Sequence, residues 1–144
     1  MKSGTDSNSA GQAEAFQYTA AATGTVTQIV AYLDSTSTAS SVVVGLYTNT
    51  AAGNPGTLLT QGTIVKPVNG AWNRVSVPPV AITQGTKYWL AILAPAGAGT
   101  VVFRDAGSGG PAQNSSQTNL SALPGIWSSG PLWSNSPASI YAAP

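Results

Sequence analysis

The apolar residues of this chain repeat with a period of two. Segments rich in Val, Ile, Tyr and Thr recur roughly every eight to fifteen residues with turn residues between them, and no stretch sustains an apolar i, i+3, i+4 stripe. That pattern predicts an all-β fold, an antiparallel β-sandwich of two packed sheets. A chain of 144 residues suits one domain with a single core, expected over residues 13–144. Residues 1–12 are polar and have no apolar h-region, so they are expected as a disordered lead-in or linker.

Glu14 to Tyr18 reads as the first strand. Val26 to Asp34 follows, with Ile29, Ala31 and Leu33 on the core face and Gln28, Val30, Tyr32 and Asp34 opposite. Val42 to Tyr47 is apolar on both faces and reads as an interior strand, with Gly45 marking a bulge or a close backbone approach. Pro55 and Gly56 fit the middle of a type II turn. Thr63 to Val68 comes next, then a turn at Asn69 and Gly70, then Trp72 to Val77, which should end where Pro78 and Pro79 offer no amide to a ladder. Tyr88 to Leu93 is the most apolar segment and the expected central strand, followed by Val101 to Arg104. The stretch from Asp105 to Pro137 is loop-like and should hide a short strand near Ile126 to Trp133; Ala138 to Ala142 reads as the last strand.

Charge narrows the function. Five cations and four acids accompany four Trp and five Tyr, and neither His nor Cys occurs. With Lys2, Lys66, Arg74, Lys87 and Arg104 as its only cations, the chain has no basic stripe for nucleic acid. No apolar run approaches the roughly 20 residues that a helical membrane span needs. A Ser-His-Asp triad is excluded without histidine, and a transition-metal site lacks its usual ligands. Glycoside hydrolysis usually takes two carboxyl groups, and the acids are Asp6 in the tail, Glu14 at a strand start, Asp34 where an Asp starts a turn, and Asp105 before a Gly-rich loop. The expectation is a protein that is not an enzyme.

The series VTQIVAYLD, VVVGLYTNTAAGNPGTLLTQGT, GAWNRVSV, ITQGTKYWLAIL and VVFR resembles the β-sandwich, jelly-roll-like accessory modules of bacterial extracellular proteins, over about residues 13 to 142. These include non-catalytic carbohydrate-binding modules and the anchor-type domains of surface proteins. The resemblance implies a secreted or cell-surface location, a polysaccharide or oligosaccharide partner, and neighbouring catalytic or surface domains in a parent protein. It also implies planar aromatics that bind sugar rings. No cofactor is expected from the residues themselves; a stabilising calcium ion is the one that the resemblance raises, with Glu14, Asp34 or Asp105 and amide and carbonyl oxygens as the ligands it would use.

Phe16, Tyr88, Trp89, Phe103 and Tyr141 read as core. Trp127 and Trp133 sit six positions apart in GIWSSGPLWSNSP, where no apolar alternation demands burial. They are the candidate sugar platforms, with Asn135, Arg104 and Asp105 as hydrogen-bonding partners and Trp72, out of phase with Val75 and Val77, as a third ring. The other use of the same two rings is closure over an open edge of the core. Three classes therefore stand at this level: a carbohydrate-binding module, a structural or adhesion spacer without a small ligand, and a small lyase or hydrolase using Tyr, Lys or Arg.

Overall fold

The computed structural model describes residues 1–144 as eleven strands and no helix. Sequential pairing places β1 (Gly4–Asn8) against β8 (Val101–Asp105), β2 (Ala13–Thr19) against β7 (Lys87–Leu93), β3 (Gly24–Leu33) against β6 (Ala71–Ile82), and β4 (Ser41–Asn49) against β5 (Pro55–Val65), all antiparallel. Those four pairs form one long ribbon wound on itself. Pairing of β8 with β3 and of β7 with β4 then closes two sheets, ordered β1-β8-β3-β6 and β2-β7-β4-β5. This is the winding of a jelly roll. Two more strands, β9 (Ala112–Ser115) and β10 (Ser129–Trp133), extend the second sheet beyond β2. The first sheet gains β11 (Ile140–Ala143), which takes up β3 from Ala31 to Gln28 once β8 has left it at Leu33.

The core between the sheets gathers Phe16, Ile29, Leu33, Val42, Val44, Ile92 and Phe103, with Phe16 and Phe103 edge to face at 5.4 Å. The predicted inward face of β3 is correct: Ile29, Ala31 and Leu33 are buried there. A second apolar cluster lies on the outer face of the second sheet, where Val43, Tyr47, Trp89 and Leu93 are covered by Leu120, Leu123 and Trp127 from the segment between β9 and β10. Apolarity on both faces of β4 and β7 thus has a physical cause. Gly45 marks the close approach, since a Cβ there would lie 2.6 Å from Leu123 Cδ1.

Four expectations need correction. Residues 4–8 of the presumed lead-in form β1, an edge strand held by backbone pairing with β8; its polar side chains gave no apolar signal. The strand expected to stop at Pro78 runs on to Ile82. Its other edge carries no β-ladder, and the register shift opposite Val26 and Gln28 accommodates the prolines, as edge strands and bulges do. The turn before β5 is built at Thr50 to Asn54 with Gly53 at φ +79, while Pro55 already belongs to the strand. Finally, Tyr141 alternates with inward Ile140 and therefore faces out, 45% exposed, instead of joining the core.

Candidate functional site

At one lateral edge of the sandwich, β1 of the first sheet lies beside β9 and β10 of the second, and Asn114 Nδ2 donates to Asn8 Oδ1 across that seam at 3.4 Å. A cleft of about 480 Å³ opens there, lined by Asp6, Trp133, Ser134, Asn135 and Ser136. Trp133 ends β10, the short strand expected near this point, and the residue is 53% exposed. The indole N–H donates to Asn114 Oδ1 at 2.7 Å, which fixes one edge of the ring while leaving much of its surface in solvent. Ser136 Oγ donates to Asp105 Oδ2 at 3.3 Å, so Asp105 stands one hydrogen bond behind the cleft wall. In the orientation that satisfies its amide, Asn135 donates to Ser134 O at 3.3 Å and Gly109 O at 3.1 Å. Trp133, Asn135 and Asp105 are thus brought together, and Asp6 joins them.

The other expected residues are elsewhere. Trp127 is 6% exposed and packs edge to face on Tyr47 at 5.2 Å, so it closes the outer face of the second sheet and is no platform. Backbone bonds from Trp127 N to Gly56 O and from Leu58 N to Gly125 O fasten its segment there. Arg104 points away from Asp105, as neighbours on a strand do. Its guanidinium pairs with Asp34 Oδ2 at 2.6 Å on the opposite face and donates to Ser3 O at 3.2 Å. Hydrogen bonds from the Thr36 hydroxyl and amide, with Arg104 adding to them, hold the Asp34 carboxyl below its ordinary range. This is a turn-and-anchor role. Trp72 lies on the outer face of the first sheet between Tyr32 and Tyr141, at ring inclinations of 77° and 64°, so the three rings share no plane.

Glu14 is the residue that sequence reasoning undervalued. A carboxylate at a strand start is ordinarily a solvated edge charge, yet Glu14 lies between the sheets at 2% exposure, with Asn8 Nδ2 donating to Oε2 at 2.9 Å and Oε1 without a partner. Burial pushes its carboxyl up to about 7; the Asn8 bond opposes this, and the negative charges of Asp6 and Asp105 add to it. The signal available was its flanks, since Ala13, Ala15 and Phe16 mark a strand with no solvent face. At that depth Glu14 cannot touch a substrate in the cleft, so its raised proton affinity does not make it a general acid there. No three Asp or Glu side chains gather as metal ligands. Among the donors proposed for calcium, Asp34 is on the opposite face from Glu14 and Asp105.

An apolar pocket of about 260 Å³ between the sheets, lined by residues including Val26, Leu46, Ile82, Leu90 and Ile140, offers little to orient a sugar. Its Tyr18 hydroxyl is already donated to Ala138 O. Compared with models of protein families and with curated protein sequences, the chain matches none of them.

Proposed function

We propose that this chain is a non-catalytic carbohydrate-binding module that holds a polysaccharide or oligosaccharide at the Trp133 cleft, as part of a secreted or cell-surface protein whose other domains act on or display the glycan. The observation that carries the reading is the Trp133 ring, pinned by its N–H and exposed beside Asp6, Ser134, Asn135 and Ser136. A flat apolar face suits the axial C–H groups of a pyranose, and carboxylate, hydroxyl and amide groups at its rim suit the sugar hydroxyls. The low charge of the chain favours a neutral, hydroxyl-rich ligand over phosphate polymers.

Affinity electrophoresis and calorimetry across plant and microbial glycans test this. At least one glycan is expected to bind, Trp133→Ala to abolish that binding, and Trp72→Ala to leave it intact. Binding that survives Trp133→Ala removes this cleft as the site. Failure of every glycan favours the structural or adhesion spacer.

A further inference from the structure

We infer that Glu14 is a positioning residue for the Trp133 cleft, acting through two asparagine amides whose hydrogen-bond direction it sets; the inference rests on the reading of Trp133 as the glycan platform. A carboxylate only accepts hydrogen bonds, so Asn8 turns its amide nitrogen to Glu14 Oε2, at 2.9 Å. That turns Asn8 Oδ1 to Asn114, whose Nδ2 donates to it at 3.4 Å. Asn114 Oδ1 is then left facing the cleft, where it accepts the Trp133 indole N–H at 2.7 Å. An indole nitrogen only donates, so the relay is complete in one direction alone. It starts on a buried charge, crosses the seam between the sheets and ends on the exposed ring.

A proton taken from solvent by Glu14 meets no partner on Oε1, but on Oε2 it turns that oxygen into a donor toward Asn8. Rotation of the Asn8 amide presents Oδ1 to that O–H and puts its NH2 against Asn114. If Asn114 turns in response, its NH2 meets the indole N–H, donor against donor, and the ring loses its anchor.

The charged groups facing Glu14 are Asp6 from β1 and Asp105 from β8; both favour its protonated form. Arg104 on β8 is turned away to Asp34, β9 and β10 carry no titratable side chain, and Lys87 and Tyr88 of β7 pair with Thr19 and Tyr18 at the far end of β2. With burial as the main cause, Glu14 changes charge near pH 7. The relay therefore reverses in the neutral range.

The test follows the Trp133 indole N–H resonance, assigned with Trp133→Phe, from about pH 5 to about pH 9. A titration centred near 7 is expected in the unmodified protein. Glu14→Gln, which has no proton to gain or lose in this range, should hold the resonance at a single position across it. Asn114→Ala, at the seam and with Glu14 intact, should abolish the titration of the indole while leaving that of the Glu14 carboxyl. Asp6→Asn should retain it at a lower midpoint, one like charge having been removed. Glycan affinity should fall about three- to tenfold below the midpoint, as the loss of one hydrogen bond implies. An indole that does not titrate, or that titrates undiminished in Asn114→Ala, overturns the positioning role whether or not a glycan binds. If the indole titrates as stated and no glycan binds at any pH, the positioning role stands and the glycan reading fails.

Discussion

Glu14 also bears on stability. Its folded-state proton affinity is raised, from an ordinary 4.5 to about 7, so the fold is most favoured while the group is neutral, and this contribution is lost as pH rises through about 7. The distance between the two values corresponds to about 3 kcal/mol. Asp34 works the other way: its carboxyl is held below the usual range, so its contribution is present near neutrality and lost in acid. Between about pH 4.5 and about pH 7, where the folded state holds a proton that the unfolded chain has released, Glu14 therefore sets the slope. Urea unfolding should show the unmodified protein losing stability across that interval and Glu14→Gln staying nearly flat, with the variant the more stable at the alkaline end. A parallel decline in both proteins would mean that another group titrates.

The segment from Ser116 to Ser128 behaves as a lid over the second sheet, and the two loop tryptophans divide on either side of it. Trp127 is beneath, against Tyr47, whose hydroxyl donates to Pro124 O at 2.7 Å; Trp133 is beyond, on β10. Trp127→Ala should cost about 3–5 kcal/mol in thermal or urea unfolding, the range for deleting a buried large aromatic, whereas Trp133→Ala should change stability by less than about 1 kcal/mol. Equal costs would break the division of labour. Much of this element level was legible. Strands β3 and β7 announce themselves because their apolar residues face a core, and double-sided apolarity in Val42 to Tyr47 already required a cover for the outer face. What the sequence did not display was that GIWSSGP supplies that cover, because a single Trp in a Gly- and Ser-rich run carries no periodicity. Strands β1 and β9 were hidden for a related reason. GTDSN and AQNS are held largely by backbone pairing, and of their inward residues Gly4, Asp6, Asn8, Ala112 and Asn114 only Ala112 joins the apolar core.

At the scale of the whole molecule, the jelly-roll winding makes the two ends of the ribbon, β1 and β8, an outer pair at the edge of one sheet. The β9-β10 extension beyond β2 forms the corresponding edge of the other. The opposite lateral edge is closed by direct contact, with Thr60 Oγ1 donating to Pro78 O at 2.8 Å and Gly62 allowing the backbone of Ser76 within 2.8 Å of where its Cβ would be. The β1 edge is closed by polar side chains instead, Asn8 to Glu14 and Asn114 to Asn8, and it is there that the cleft opens. No residue of β1 belongs to the main core, so β1 builds the cleft without building the core. Removing residues 1–8 should leave a folded sandwich with Tm lowered by about 5–10 °C, an exposed β8 edge prone to self-association, and glycan retention lost along with Asp6 and Asn8. Circular dichroism melts, size-exclusion chromatography and affinity electrophoresis on the shortened chain read these three effects separately. Retention equal to that of the intact chain would place the glycan away from the seam, as on the Trp72 face.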